Sequence, residues 1–253
     1  RFNVSSFKGL LNYRFFKSLK KNGVELELVV DWFENQVIDR GFNKGINDFY
    51  PDVNSIGYQG FIIPYSYNFH VQPTEIEYEL GVVPKTIAPV GKGLFDELRK
   101  YYKNLPLKTA PAFRFNHIFD KSNNFSTKIN KNNILVALPI SIQESFDIIN
   151  IILESFNNNK LNNINWLIKP HPSLNITKLK KLFPEWPKKL VIIEGNFNEA
   201  IAKSKIMIGN ASSTSVEALA YGVPVIIIGS RNGFFQNPIP KLIPKKYMVF
   251  LYY

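Results

Sequence analysis

Residues 205–228 read KIMIGNASSTSVEALAYGVPVIII, and this stretch decides the fold. The apolar run Ile206, Met207, Ile208 stops at Gly209, and a small polar loop of Asn210, Ala211, Ser212, Ser213 and Thr214 follows. A helix-length segment then carries the chain past Gly222 into a second apolar run at 223–228. Parallel strands cannot be joined by a tight hairpin and need a crossover, so strand, polar loop, helix, strand is the pattern of a parallel α/β sheet. The first N–H groups of such a helix have no intrahelical partner. With the hydroxyls of Ser212, Ser213 and Thr214 beside them, they form an anion site suited to a diphosphate or a nucleotide phosphate. A plain Ser/Thr N-cap accounts for one hydroxyl but not for three in a row. Glu217 is placed to accept hydrogen bonds from two ribose hydroxyls; its alternative role is to complement the helix dipole.

Working outward, the same alternation begins at Asn133. Apolar runs at 133–138, 164–169, 190–193, 205–209 and 223–228 read as strands, and amphipathic segments at about 142–157, 175–183, 197–203 and 214–221 as helices. Right-handed crossovers would bring every strand-to-helix loop to one edge of the sheet. Upstream the pattern is looser: helix 5–21, strand 25–31, helix 34–46, strands 54–63 and 85–90, and helix 92–103. It reads as the later portion of a second Rossmann-like domain without its first strands. The polar stretch at 120–132, DKSNNFSTKINKN, lacks periodicity and reads as a linker. The expected organisation is therefore α/β: a partial N-terminal Rossmann-like domain at 1–119, a linker at 120–132, and a C-terminal nucleotide-binding domain at 133–253.

Composition limits the function classes. The chain has 253 residues, 45% of them hydrophobic, which suffices for a sizeable core. No apolar run approaches the roughly 20 residues that a membrane span needs; the longest, 223–228, contains Pro224. The chain opens with Arg1 rather than Met and with no basic n-region or long apolar h-region, so this opening does not read as a signal peptide and the chain reads as a piece of a longer protein. Cysteine is absent, which excludes disulfides and thiolate metal sites and agrees with a cytoplasmic location. A net charge of +11 favours anionic partners, a nucleotide or the anionic inner face of the cytoplasmic membrane. The Lys178, Lys180, Lys181, Lys188 and Lys189 clusters are scattered between elements rather than interleaved with an aromatic RNA-binding signature, which speaks against nucleic acid. His70, His117 and His171 are far apart in sequence, and no DxD metal-binding pair occurs.

A second informative segment is 164–173, INWLIKPHPS. A strand delivers Lys169, His171 and Ser173 to the loop edge while Pro170 and Pro172 fix the backbone. A strand-end histidine between prolines is poorly placed for core packing and suits contact with a leaving phosphate, to which Lys169 adds a point charge.

The KPHP strand end and, about forty residues later, the run from Asn210 to Val225 together resemble the C-terminal domain of GT-B glycosyltransferases. Within that class they are similar to bacterial sialyltransferase and Kdo-transferase families, which use an HP motif and a Ser-Ser/Thr motif on CMP-sugars. CDP-glycerol glycerophosphotransferases and UDP-GlcNAc 2-epimerases share looser forms. The resemblance covers about 130–250. In the N-terminal half, WFENQVIDRGF at 32–42 and PAFRF at 111–115 resemble surface-carbohydrate biosynthesis proteins related to the Kdo transferases.

This resemblance implies two Rossmann-like domains facing across a cleft and a metal-independent glycosyltransferase. The donor would be CMP-Kdo and the acceptor a lipid-linked or surface glycan, with no cofactor beyond the nucleotide sugar. It implies Glu34 and His171 as catalytic residues, with Lys169, Asn210, Ser212, Ser213, Thr214 and Glu217 on the nucleotide. Arg40 and Arg114 are candidates for the carboxylate of a keto-sugar acid, or for surface ion pairs, and Asp31 and Asp39 for local caps. An epimerase, a polyol-phosphate transferase and a non-catalytic GT-B domain are the alternatives.

Overall fold

The computed structural model describes residues 3–62, 71–119, 132–156, 161, 163–210, 212–230, 237, 239 and 243–251. The expected linker, apart from its last residue, lies outside them, as do His70 and Ala211. The chain divides into two compact units, Arg1–Arg114 and Phe115–Tyr253.

The first unit runs α1 (Val4–Lys21), β1 (Leu28–Trp32), α2 (Val37–Phe49), β2 (Asn54–Gln59), α3 (Glu75–Glu79), β3 (Thr86–Pro89) and α4 (Phe95–Leu98). Its three strands form a parallel sheet in the order β1-β2-β3. The first strand starts later than the sequence suggests, because its ladder to β2 begins only where Leu28 pairs with Asn54. The helices α1 and α2 cross at glycines, and a Cβ on Gly41 would overlap the carbonyl of Gly9. That close approach seats Phe16, Ile46 and Tyr50 in one buried cluster.

The helix expected at 92–103 is a correction. A 3-10 turn at Lys92–Leu94 leads into α4, which ends at Leu98. The chain must turn back there, because Ile87 donates to Pro106 O (3.0 Å) and Lys108 donates to Ile87 O (3.0 Å), laying residues 106–108 beside β3. Leu98 and Leu105, on either side of that turn, are fully buried with Ile87. The short α3 was not anticipated, although its capping box is written as Thr74-x-x-Glu77, with Glu77 N donating to Thr74 Oγ1 and Thr74 N to Glu77 Oε2.

The second unit runs α5 (Asn116–Phe119), β4 (Asn133–Leu138), α6 (Ile142–Ser155), β5 (Asn165–Pro170), α7 (Ile176–Lys180), β6 (Leu190–Ile192), α8 (Phe197–Ala202), β7 (Ile206–Gly209), α9 (Ser213–Ala220), β8 (Val225–Ile228) and β9 (Met248–Leu251). All six strands pair in parallel. Their order, β6-β5-β4-β7-β8-β9, is that of the dinucleotide-binding Rossmann sheet. The edge strand β9 was not expected from the sequence; it pairs with β8 from Val225 to Ile228.

Successive residues of a strand face opposite sides, so a sheet covered on both faces needs apolar residues throughout. Ile134, Val136 and Leu138 accordingly pack with Ile148, Ile149 and Ile152 of α6 on one face. Leu135 packs with Met207, Ile201 and Ala218 on the other. No helix among the described residues is long and apolar enough to cross a membrane.

Candidate functional site

In an open parallel sheet, ligands bind beyond the carboxyl ends of the strands where the order reverses. In the second unit that point lies between β4 and β7, and the loops flanking it are joined by a hydrogen bond. Asn210 Nδ2, just after β7, donates to Glu144 Oε2 in the first turn of α6 (2.9 Å). Ser141 caps α6 by accepting from Glu144 N (3.3 Å), and Ser145 Oγ donates to Pro139 O (3.1 Å), which fixes the first of these loops. Glu144, Asp147, Asn210, Ile228, Gly229 and Ser230 line a small cleft with room for about one water molecule.

Ser212 takes the N-cap of α9, its Oγ accepting from Thr214 N (3.4 Å). Ser213 and Thr214 open the helix half-buried, and Ser215 Oγ donates to Asn210 O (3.3 Å). One of the three adjacent hydroxyls therefore serves the cap. Glu217, one turn on, is 8% exposed. Its Oε2 lies 3.3 Å from His117 Nε2 of α5. Tyr221 stacks obliquely against the same imidazole at 6.3 Å, and its phenol is pushed up by burial first and by the Glu217 charge second. Reading the sequence attached no role to His117.

At the end of β5, Lys169 Nζ donates to Gly195 O (2.6 Å), which leaves two ammonium protons for other acceptors. His171 is exposed, and its backbone N–H donates to Leu138 O (3.0 Å). Its Nδ1 accepts from Ser173 N (3.1 Å), so the neutral ring carries its proton on Nε2. Strands β5 and β7 are two positions apart, about 10 Å at the usual spacing.

In the first unit, Glu34 follows β1 and is half-buried. Asn35 behind it has φ 54°, in the left-handed region that Asn tolerates best among non-glycine residues. This turn brings the Glu34 carboxylate back to Trp32, whose Nε1 donates to Oε1 (2.7 Å), while Gln36 Nε2 donates to Oε2 (2.6 Å). Asp39 accepts at Oδ2 from the backbone N–H of Glu34 and of Gln36, both at 3.0 Å, so it ties down this loop. Burial raises Asp39 against those two hydrogen bonds.

Asp31 points to α2, where Asn43 Nδ2 donates to it (3.3 Å). Burial pushes its carboxyl up to about 6, the Asn43 hydrogen bond opposing and the Asp39 charge adding. A carboxylate so perturbed at a strand end is a candidate functional group that reading the sequence left as a local cap. Arg40 pairs with Glu77 (2.6 Å), a protein carboxylate, and Arg114 is exposed. Gln59, ending β2, is fully buried with no partner for either amide atom among the described residues, an arrangement that the sequence gives no means to foresee. Among the described residues, no group of three or more His, Cys, Asp or Glu side chains is placed to hold a metal ion.

With this geometry in hand, solved structures place the fold. The chain is similar to the UDP-GlcNAc 2-epimerase of Methanocaldococcus jannaschii solved with UDP-GlcNAc and UDP (TM-score 0.59, 14% identity, 96% of this chain and 69% of that chain). It is similar to S. aureus MnaA solved with UDP (TM-score 0.54, 13% identity, 91% and 65%). A chain of the GtfA/B complex also resembles it (TM-score 0.52, 11% identity, 96% and 49%). This chain thus spans about two thirds of the length of the first two and about half of the third. No protein-family model and no curated protein matches it. At these identities the likeness is one of fold: an α/β protein with two parallel sheets, GT-B-like. It does not single out the Kdo-transferase or sialyltransferase group.

Proposed function

We propose that this chain belongs to a nucleotide-sugar enzyme of the GT-B fold, that its second unit holds the nucleotide, and that its reaction is glycosyl transfer. One observation carries the reading. The strand order brings Ser212, Ser213 and Thr214, the buried Glu217 and the His171 loop to the carboxyl edge of one sheet, where such folds take phosphorylated ligands. The nucleotide phosphate lies against the start of α9, Glu217 accepts from the ribose, and His171 Nε2–H with Lys169 neutralises the departing phosphate. Helix dipole, imidazole and ammonium supply the charge that a metal would otherwise bring.

In the first unit, Glu34 acts as the base. Trp32 and Gln36 each occupy one lone pair on its two oxygens, which fixes the carboxylate and leaves lone pairs for an acceptor hydroxyl. Motif resemblance favours CMP-Kdo as donor and a surface or lipid-linked glycan as acceptor, with Arg40 and Arg114 as the candidates for the keto-acid carboxylate. Arg40 would have to leave Glu77 to take that part. The domain roles follow: acceptor chemistry within 1–119, a linker at 120–132, donor binding within 133–253. A second reading, epimerisation of a UDP-sugar, is favoured by the likeness to two proteins solved with UDP.

Titration of CMP, CDP and UDP against the purified chain is the primary test. A preference for CMP supports the Kdo branch, a preference for UDP moves the donor to a uridine sugar, and no binding of any nucleotide removes the proposal. Incubation with UDP-GlcNAc, with NMR detection of inversion at C2, separates epimerase from transferase.

A further inference from the structure

Trp32 closes β1 with its indole laid over the end of β2. A Cβ on Gly60 would fall 2.5 Å from Trp32 Cζ3 and 2.6 Å from Tyr58 Cε1, so only glycine lets the ring lie this close to the backbone. Tyr58 stands edge-on to the indole (5.7 Å, 71°), and Phe61 lies tilted beside it (5.8 Å, 36°). Phe113 extends the row from Tyr58 (6.1 Å, 50°), whose hydroxyl is anchored to Pro111 O (3.1 Å). Glu34 accepts from the indole N–H (2.7 Å). The ring is therefore held by backbone, by neighbouring rings and by a hydrogen bond, yet Trp32 remains 49% exposed and Phe113 65%.

Large aromatic rings fixed in place with their surfaces still in water are more typical of a binding site than of a structural surface. We propose that this row is a stacking subsite for a pyranose ring of a glycan. The C–H face of a pyranose is apolar and carries slight positive charge, which suits the negative face of an indole. Its rim carries hydroxyls, and at the rim of Trp32 stand a fixed carboxylate and a carboxamide, Glu34 and Gln36, ready to accept and to donate. The Glu34 charge favours hydroxyl donors over the phosphates of a nucleic acid, which would otherwise also stack on such rings. That the bound glycan is the acceptor rests on the transfer reading above; that a pyranose stacks on Trp32 does not.

The experiment is calorimetric and NMR titration of the 253-residue chain with maltotriose, cellotriose and chitotriose, alongside the nucleotide titration. At least one trisaccharide should bind. Trp32→Ala should weaken it by roughly tenfold, the weakening that loss of a good aromatic contact carries. Trp32→Phe should retain part of the affinity. Phe113→Ala, at a side chain too exposed to matter for folding, should weaken binding less. Trisaccharide binding without nucleotide binding would leave the subsite standing and remove the transfer reading. Nucleotide binding without trisaccharide binding, or equal affinity in wild type, Trp32→Ala and Phe113→Ala, overturns the subsite.

Discussion

His117 Nε2 lies 3.3 Å from Glu217 Oε2, joining the short helix that opens the second unit to the helix whose start faces the proposed phosphate. If Glu217 accepts from ribose hydroxyls, His117 orients the carboxylate that does so. His117→Ala should therefore reduce the preference for a ribonucleotide over its 2′-deoxy counterpart, as Glu217→Gln should, with His117→Gln restoring part of it. Losing one charge-assisted contact of this kind corresponds to about 1–3 kcal/mol. Equal losses for ribo and deoxy ligands would make His117 a packing residue only.

The hydrogen bond from Asn210 to Glu144 sets a carboxylate beside the loop proposed for phosphate. Removing that charge should help an anion. Glu144→Gln is expected to tighten diphosphate binding by roughly threefold, the effect of a unit charge several ångström away in a water-like dielectric. An unchanged affinity in low salt would place the phosphate elsewhere.

His171 is exposed and accepts from Ser173 N at Nδ1, so its Nε2–H is directed by the loop rather than by the core. Replacement by Ala should lower turnover by about 10²-fold or more, as loss of a transition-state donor does, while the melting temperature moves little. A large loss of stability with normal specific activity would reverse that assignment.

Asp31 supplies a test by pH. Its folded-state value of about 6 exceeds the ordinary 3.8, so folding favours the protonated form. The associated stability is fully present below the ordinary value and is lost as pH rises through about 6, amounting to roughly 3 kcal/mol. Asp31→Asn should melt above wild type near pH 7, with the difference closing towards about pH 4. A difference that does not vary with pH would mean that Asp31 is not desolvated as described.

The readable part of the fold was the part governed by local alternation. The apolar runs at 133–138 and 205–209 became β4 and β7 because every second residue had to face a covered side of the sheet. That a helix would start in the Ser212–Thr214 loop, with one hydroxyl free to cap it, was legible for the same local reason. What escaped depended on partners distant in sequence. Leu98 ends its helix because residues 106–108 return to Ile87. Glu144 meets Asn210 across 66 positions, and His117 meets Glu217 across a still longer span. The close seat of the Trp32 ring depended on Gly60, which as sequence alone reads only as a breaker.

The strand order also dictates when the site comes into being. Strands β4 and β7 are neighbours in the sheet, yet β5, β6 and the helices between them intervene in the chain. Joining them closes a long loop, a slow step compared with forming each β-α segment. The edge where Asn210 meets Glu144 is therefore expected to mature late in refolding. If it forms after the folding transition state, a nucleotide that binds there slows unfolding and leaves the refolding rate nearly unchanged; if closing that loop is itself the transition state, the nucleotide speeds refolding instead.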